Sequence, residues 1–190
     1  RFSALRTFYK FLVRRGQLSA TPIRNLSLPK LARRLPKFLT VQQMMDLLKA
    51  QLLELQEQRK EIELSRDRVA PFLRDVAILE TIYSCGLRVA ELCRLRVEDI
   101  DFASQSVRVF GKGRKERQVP IGRPALTAIK GYWRILSLRR GAIDPVFLAN
   151  PARARAMYPR LIQLRLKRYL ERSGLDPQLT PHKLRHSYAT

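Results

Sequence analysis

One stretch organises the chain: Tyr83-Ser84-Cys85-Gly86-Leu87-Arg88-Val89-Ala90-Glu91-Leu92. A helical pattern ends before Gly86, the backbone turns at that glycine, and a second, short helix begins with Arg88. Leu87, Leu92 and Leu95 anchor this turn to the core, so we expect Arg88 to point away from it. Exposed backbone N–H groups at the positive end of the helix are expected beside its guanidinium, and together they suit a phosphate oxygen. An arginine that is merely solvated or paired with a carboxylate is the open alternative.

Charge is the most unusual bulk property of the chain. Its 190 residues suffice for one good core, or for a compact domain with part of another. The net charge of +22 and the pI near 11.2 predict a nucleic-acid partner, because such a surplus repels itself unless a polyanion absorbs it. An anionic membrane surface is the rival partner. No stretch approaches about eighteen uncharged apolar residues and no signal peptide opens the sequence, so we predict a soluble, cytoplasmic protein without membrane contact.

The cysteines and histidines do not indicate a metal site. Cys85 and Cys93 flank the Gly86 turn, and neither has a cysteine or histidine neighbour at metal-ligand spacing. With two histidines in the whole chain, we expect no structural zinc and no cofactor. Both cysteines are predicted to be buried, reduced thiols.

The N-terminal region is basic throughout. Apolar residues recur at helical spacing from Phe2 to Leu12, and Gly16 is a natural stop for that helix. From 1 to 37 there is no acidic residue, and a short helical turn is expected after Pro22. We predict that 29–37 forms an extended basic linker lying along phosphates, with a solvated tail as the alternative.

The next region is predicted to be helical as far as Gly86. Thr40 and Gln43 match a capping box at the start of a helix. The charged run 54–68 is expected to continue as a long exposed helix or helical hairpin, with Glu57–Lys60 and Glu63–Arg66 pairs on a solvated face. Pro71 is expected to break it. A strongly apolar helix then leads to the Gly86 turn and forms the spine of the domain.

A β-hairpin is predicted where the hydrophobic period changes from helical to alternating. Val107, Val109 and Val119 flank a glycine-bracketed basic tip: Gly111-Lys112-Gly113-Arg114-Lys115-Glu116-Arg117. The two glycines allow Lys112 to approach another surface closely. A solvent-facing hairpin loop is the alternative, and a phosphate-binding P-loop is excluded because its G-x-x-x-x-G-K-[ST] spacing is absent.

The last third of the chain alternates helices with one short strand. A packing helix is predicted from 125 to 136, a buried strand at 146–148, and a helix from 161 to 172 with arginines and a lysine on its polar side. Pro181 precedes a final helix in which His182, Arg185 and His186 share one face. Leu184 and Tyr188 are expected to face the core.

Three motifs in order carry a resemblance: residues 86–92, Gly111-Lys112-Gly113 on a hairpin, and His182-Lys183-Leu184-Arg185-His186. Together they resemble the tyrosine recombinase (phage integrase) family, and most of all its Xer-like members. The resemblance implies a mainly α fold with a small antiparallel β-sheet. It implies that 1–28 is the C-terminal part of a helical, SAM-like core-binding domain, 29–37 a linker and 38–190 a catalytic domain incomplete at its C-terminus.

The resemblance also implies site-specific DNA recombination through a 3′-phosphotyrosyl intermediate, on double-stranded DNA and with other protomers in a tetrameric synapse. Arg88 and Arg185 would grip the scissile phosphate, Lys112 would protonate the leaving 5′ oxygen, and His182 would assist proton transfer. Phosphoryl transfer needs fixed positive charge on the phosphate oxygens, which guanidinium groups supply without a metal. Glu91 is placed to orient Arg88. Residues expected to contact DNA are Arg6, Lys10, Arg33, Arg34, Lys37, Arg114, Lys115, Arg165 and Arg168, with Gln163 a further candidate for base reading.

The sequence departs from the family pattern at its end. The second histidine or tryptophan and the nucleophilic tyrosine of the family lie beyond the His-x-x-Arg helix, and Tyr188 is too close to Arg185 to replace that tyrosine. We therefore expect a chain truncated at both ends that binds DNA weakly and does not cleave it. A non-catalytic basic DNA- or RNA-binding module is the alternative function. A type IB topoisomerase fits the hairpin and His-x-x-Arg motifs less well.

Overall fold

The structure is a computed structural model that describes residues 2–23, 39–61, 65–111, 115–136 and 140–187, without the side chains of 58–61 and 186–187. Its contacts divide the chain into two compact units, Arg1–Leu35 and Pro36–Thr190. The predicted basic linker and the short turn of helix after Pro22 fall largely outside the described residues. The predicted domain boundaries stay predictions.

The described part of the first unit is dominated by one helix, α1 (Phe2–Arg14). Gly16 ends it in the left-handed conformation with φ +70°, and its N–H donates to the carbonyl of Val13 at 3.1 Å. The predicted helix and its stop are confirmed. Leu5, Phe8 and Phe11 are each about half exposed, at 50%, 54% and 51%, so the apolar face of α1 is largely uncovered among the described residues.

The second unit is mainly helical, with two small antiparallel sheets, as the sequence predicted. Its helices are α2 (Val41–Glu61), α3 (Arg66–Cys85), α4 (Val89–Arg94), α5 (Arg123–Leu136), α6 (Pro159–Arg172) and α7 (Pro181–Ser187). Short 3₁₀ turns occupy Val97–Asp99 and Pro151–Arg153. None of the helices in the described ranges combines the length and apolar character that crossing a bilayer requires.

The larger sheet contains the predicted hairpin. Its strands are β1 (Ile100–Asp101), β2 (Ser106–Phe110) and β3 (Glu116–Pro120), paired in the order β1-β2-β3. Val107 lies opposite Val119, and Val109 lies opposite Arg117. The smaller sheet pairs β4 (Leu148–Asn150) with β5 (Arg155–Ala156). The strand predicted at 146–148 is therefore displaced by two residues, although Val146 and Phe147 are buried as expected.

The start of α2 confirms the predicted capping box. The backbone N–H of Thr40 donates to the side-chain oxygen of Gln43 at 3.0 Å, and the N–H of Gln43 donates to Thr40 Oγ1 at 3.2 Å. These reciprocal bonds satisfy two of the N–H groups that a helix start leaves without partners.

The expectation of a solvated helix over 54–68 is wrong in part. Glu54 is 2% exposed and pairs with Arg168 and Arg172 of α6, and Glu57 also pairs with Arg172. Glu54 is therefore covered by α6, whereas Glu57 stays 62% exposed as expected of a solvated face. The sequence suggested pairing within one helix because it does not reveal which helices pack side by side.

The expectation that Pro71 breaks the helix is also wrong. Ser65 is the non-helical N-cap of α3, and Pro71 is the sixth residue of that helix. A proline there removes one N–H donor near the helix start, and the packing of the apolar residues that follow outweighs that loss.

Helix α3 is the spine of the domain. It packs against α2, α5 and α7, and it contributes Ala77, Ile78, Leu79 and Ile82 to the core. It also carries a buried ion pair, in which Arg74 donates to Asp75 at 2.8 Å and to the carbonyl of Leu148 at 3.1 Å. The hydroxyl of Tyr169 in α6 donates to the same aspartate at 2.9 Å. This network fixes α6 and β4 on the spine.

Gly86 turns the chain from the spine into α4. It has φ 55° and ψ 36°, and its N–H donates to the carbonyl of Ile82 at 2.9 Å. Because side chains with a Cβ disfavour the left-handed region, a glycine here keeps Arg88 in place at low conformational cost.

Replacing Gly86 by Ala should lower the free energy of unfolding by about 1–2 kcal/mol, because alanine is strained in the left-handed conformation. Gly131→Ala is the matched control. That glycine lies inside α5, and a Cβ there would meet no atom within 4 Å, so alanine should raise the free energy of unfolding by up to about 1 kcal/mol. Urea denaturation measures both, and a change of the same sign in the two variants would contradict this account.

Candidate phosphate-binding site

Arg88 is the N-cap residue of α4, one residue before the helix itself. The flanking Leu87 and Leu92 are both 1% exposed, and they anchor the turn in the core. The side chain of Arg88 is 58% exposed. Arg88 therefore points away from the core while its backbone is held from beneath, as the sequence predicted.

Glu91 organises the arginines around the start of α4. Its Oε1 accepts from Arg88 Nη1 at 3.0 Å and from Arg117 Nη1 at 3.1 Å. Its Oε2 accepts from the backbone N–H of Arg88 at 2.9 Å and from Arg117 Nη2 at 2.8 Å. The expectation of exposed backbone donors beside Arg88 needs correction, because this carboxylate already binds the first of them. The expectation that Glu91 orients Arg88 agrees with these bonds.

The protonation of Glu91 reflects this arrangement. Burial by itself would raise the pKa of the carboxyl group. Hydrogen bonds from the Arg117 side chain and from the backbone and side chain of Arg88 outweigh burial and lower the pKa to about 2. Glu91 is therefore ionised throughout the physiological range.

The second predicted arginine lies on α7, which packs against α3. Leu184 is 2% exposed and holds α7 in the core, as predicted, while His182 on the same short helix is exposed. Arg185 is half-buried. Its Nη1 is shielded from solvent and has no hydrogen-bond partner among the residues that the structure describes. A shielded guanidinium N–H of this kind is costly unless an acceptor from outside the described residues binds it.

The structure brings the two arginines onto one scaffold. Helix α4 follows α3 directly through Gly86, and α7 packs against the same α3. Lys112 lies outside the described residues, so the convergence of Arg88, Lys112, His182 and Arg185 on one phosphate stays a prediction. Tyr188 and the side chain of His186 also lie outside them.

The predicted DNA-contact residues fall into three groups. Arg6 and Lys10 in α1, Lys115 before β3 and Gln163 in α6 are exposed. Arg165 and Arg168 have acidic partners within the chain: Arg165 Nε lies 3.7 Å from Asp75 Oδ2, and Arg168 pairs with Glu54. Arg33, Arg34, Lys37 and Arg114 lie outside the described residues. Contact between these side chains and DNA stays a prediction.

Sequence reasoning missed Arg117 as a member of this cluster. It lies opposite Val109, which is 3% exposed, on the face of the hairpin that meets the core. A charged residue at an inward-facing position of an alternating strand requires a buried partner, and that break in the alternation was the available signal.

A concavity of about 680 Å³ lies beside this cluster without containing Arg88 or Arg185. Among its lining residues are Arg94, Arg96, Phe110 and Ile143. The two arginines are not among its lining residues, whereas Glu91, which binds Arg88, is one of them.

The two cysteines are free thiols. Cys85 is buried and Cys93 is half-buried, so the expectation that both are buried holds fully for Cys85 alone. Burial raises the pKa of Cys85 to about 12 and that of Cys93 to about 11, so neither is a thiolate at neutral pH.

Comparison with known proteins agrees with this geometry. The phage integrase family model matches residues 39–190. The chain belongs to the phage integrase family. The resemblance to this family, predicted from three motifs, is thereby confirmed, and its Xer-like character is confirmed by two XerC relatives.

Two relatives illustrate how close this family membership is. The tyrosine recombinase XerC of Alcanivorax borkumensis is 40% identical over 189 residues, which cover 99% of this chain and 57% of the relative. The XerC of Xanthomonas axonopodis pv. citri is 41% identical over 192 residues, which cover 100% of this chain and 56% of the relative. The chain therefore spans a little over half the length of these two relatives.

Solved structures of the family share the fold. XerA recombinase has a TM-score of 0.64 at 24% identity, covering 98% of this chain and 58% of that one. XerH bound to palindromic difH substrate has a TM-score of 0.68 at 20% identity, covering 90% and 47%. A lambda integrase tetramer bound to a Holliday junction has a TM-score of 0.68 at 16% identity, covering 98% and 51%.

The dependence of the free energy of unfolding on pH in the acidic range should reveal the contribution of Glu91. Because its folded pKa is about 2 and its ordinary value is 4.5, its ion pairs stabilise the fold fully above about pH 4.5 and progressively less as the pH falls toward 2. The stability difference between wild type and Glu91→Gln should therefore be constant from pH 7 to about 4.5 and shrink below it, measured by urea denaturation. Glu171→Gln removes an exposed pair with Lys167 and should show little difference at any pH. A Glu91→Gln difference that grows on acidification would contradict the assignment.

Proposed function

We propose that this chain is the phosphate-gripping part of a site-specific DNA recombinase that cleaves and rejoins strands through a 3′-phosphotyrosyl intermediate. One observation carries the proposal. Arg88 follows α3 and has a side chain that is 58% exposed, with one guanidinium nitrogen bound to Glu91. Arg185 lies on α7, which packs against the same α3, and its shielded Nη1 has no acceptor among the described residues. A phosphodiester offers two non-bridging oxygens, and guanidinium groups bind such oxygens in a fork geometry.

The proposed chemistry is a phosphoryl transfer. A tyrosine hydroxyl releases its proton to solvent and its oxygen attacks phosphorus. The bond from phosphorus to the 5′ oxygen breaks, and the 5′ oxygen takes a proton from Lys112. Arg88 and Arg185 stabilise the negative charge of the phosphate oxygens during strand cleavage and during rejoining. His182 assists the proton transfers in both. Fixed cations are most effective where charge develops in the transition state, and these cations need no reorganisation. Two guanidinium groups and a lysine supply that charge, so the proposed mechanism needs no metal or cofactor.

Double-stranded DNA is the proposed substrate. The net charge of +22 supports a polyanionic partner, and the exposed Arg6 and Lys10 add to the basic surface. The related XerH structure is bound to difH DNA and the lambda integrase structure is a tetramer on a Holliday junction. By this likeness we propose that the protein acts with other protomers in a tetrameric synapse, in the cytoplasm. The unit that contains α1 would be the end of the core-binding domain, and 38–190 the catalytic domain.

A non-catalytic DNA-binding module is the second candidate. The exposed basic residues alone would suffice for it, and a steep loss of affinity with salt is expected of both functions. The orphaned donor of Arg185 favours catalysis, because a backbone-binding arginine on an open surface does not need to be shielded from solvent.

Arg88 and Arg185 should be required for cleavage and dispensable for most of the affinity. In a polypeptide extended along the reading frame past Thr190, Arg88→Ala or Arg185→Ala should lower the cleavage rate by at least about 10³-fold, since each removes a transition-state contact. Duplex affinity should change by less than about threefold. Cleavage of a nicked suicide substrate and electrophoretic mobility shift measure the two quantities.

Arg96→Ala is the matched control. Like Arg88, Arg96 is more than half exposed, at 55%, and donates its backbone N–H to an acid three residues on, Asp99 at 2.9 Å. It lies two residues after the end of α4, directly before the 3₁₀ turn Val97–Asp99, and it has no proposed role in cleavage. Equal effects of the Arg96, Arg88 and Arg185 changes on both measurements would favour the binding module.

The nucleophile is proposed to lie outside these 190 residues. Of the tyrosines within the described ranges, Tyr132 and Tyr169 are 1% exposed, and burial raises the pKa of both hydroxyl groups. Tyr158 is 40% exposed, but it precedes the helix of His182 and Arg185, whereas the resemblance implies a nucleophile that follows that helix. The 190-residue chain should therefore form no covalent adduct with a suicide substrate and bind DNA weakly, whereas the extended polypeptide should form the adduct. Denaturing gel electrophoresis with labelled DNA measures this, and an adduct with the shorter chain would contradict the proposal.

A further inference from the structure

Arg117 is the charged residue of the cluster for which the proposed mechanism has no role. It lies on β3 opposite the buried Val109, so its carbon stem runs along the core face of the hairpin. Its side chain is 35% exposed, less than the 58% of Arg88. The end of this stem meets Glu91, 26 residues earlier in the chain and on a different element.

The contact with Glu91 is a two-point ion pair. Nη1 and Nη2 of Arg117 each donate to a different carboxylate oxygen, at 3.1 Å and 2.8 Å. Arg88 donates to the same carboxylate with one guanidinium nitrogen, at 3.0 Å. The stronger, bidentate geometry thus belongs to the less exposed arginine, and the remaining donors of Arg88 stay available.

The charges of the three side chains explain why it matters that Arg117 makes the two-point pair with Glu91 and Arg88 the one-point pair. Glu91 carries one negative charge in a site that is 7% exposed, and Arg117 balances it. Without Arg117, the carboxylate would draw Arg88 into a two-point pair of its own and neutralise its charge. With Arg117 present, the cluster keeps a net charge of one positive unit, and Arg88 is its most exposed cation.

Arg117 also touches the end of the hairpin. A Cβ built on Gly111 would lie 3.4 Å from Arg117 Nη1, so the guanidinium packs against the backbone there. The N–H of Gly111 donates to the carbonyl of Lys115 at 2.8 Å and joins the two strands at this point. One guanidinium therefore contacts both the acid of α4 and the end of the hairpin.

We propose that Arg117 is a positioning residue, which occupies Glu91 so that the charge of Arg88 remains available to the substrate phosphate, and which holds the hairpin end against α4. This inference rests on the proposed function, since it assigns Arg117 an effect on the same phosphate site. Arg117 itself does not need to touch the substrate.

The test compares four proteins in the extended polypeptide that contains these 190 residues: wild type, Arg117→Gln, Arg117→Lys and the control Arg108→Gln. Arg108 lies on the neighbouring strand β2 and pairs with another buried acid, Asp99, at 3.2 Å. Its side chain is 39% exposed against 35% for Arg117, so it is matched in exposure and in having a buried acidic partner other than Glu91. The rate of cleavage of a suicide substrate at saturating DNA, the duplex affinity and the melting temperature are measured for each.

Arg117→Gln should slow cleavage about 10- to 100-fold, because a small displacement of a catalytic group has effects of that order. Its duplex affinity should stay within about threefold of wild type. Arg117→Lys should recover part of the rate, since lysine restores the charge but not the two-point geometry. Arg108→Gln should cleave within about twofold of wild type, even if its melting temperature falls as much as that of Arg117→Gln.

A double-mutant cycle separates positioning from general destabilisation. In a Glu91→Gln background, the loss on changing Arg117 to Gln should shrink to about threefold or less, because the carboxylate that competes for Arg88 is gone. Three results would overturn the inference. Arg117→Gln could cleave at the wild-type rate, or Arg117→Gln and Arg108→Gln could lose the same fraction of the cleavage rate. The third is that changing Arg117 to Gln slows cleavage as much in the Glu91→Gln background as in wild type.

The Arg88→Ala variant in the same assay distinguishes this inference from the proposed function. If wild type cleaves and Arg88→Ala does not, the proposed function stands whatever the Arg117 variants do. If the extended wild-type polypeptide does not cleave, the proposed function and this inference fail together.

Discussion

The structure around the candidate site depends on one buried carboxylate. Glu91 accepts four hydrogen bonds, two from Arg88 and two from Arg117, and in doing so it connects the start of α4 with the hairpin. Such a carboxylate is stable in a mostly buried position only because each oxygen has donors and a second positive charge is at hand. The same bonds leave Arg88 with its side chain more than half exposed and most of its donors unused.

Helix α3 gives this cluster a rigid base. It ends at Gly86, whose left-handed conformation aims the chain into α4, and it packs against the helix that carries Arg185. The buried Arg74–Asp75–Tyr169 network fixes α3 to α6 and β4. Phosphoryl transfer tolerates little misplacement of its cations, and residues on packed helices hold their positions better than residues on loops.

The distribution of acids shapes the basic surface. The buried acids Glu54, Asp75, Glu91 and Asp99 each pair with at least one arginine. Some arginines that the sequence suggested as DNA contacts, such as Arg165 and Arg168, are therefore partly neutralised by acids within the protein. The net charge of +22 remains, but the cations that combine exposure with unused donors are fewer than the composition suggests.

Much of the fold could be predicted from the sequence because its signals are local. The capping box at Thr40, the glycine turn at Gly86, the alternation through the hairpin and the apolar position of Leu184 each depend on near neighbours in the chain, and all four predictions are confirmed. The family, too, followed from three short motifs in order. Predictions about pairing failed where the partner was distant: Glu54 meets α6, and Pro71 is carried inside a helix that tertiary packing stabilises.

By itself, the sequence determined the helices, the hairpin, the excess of positive charge and the identity of the candidate phosphate-binding residues. Only the tertiary structure decided that Glu91 is shared by Arg88 and Arg117, and that a donor of Arg185 is shielded from solvent without a partner among the described residues. The physical reason is distance along the chain. A turn or a cap is specified within a few residues, whereas an ion pair between residues 26 positions apart exists only after the sheet and helices have packed.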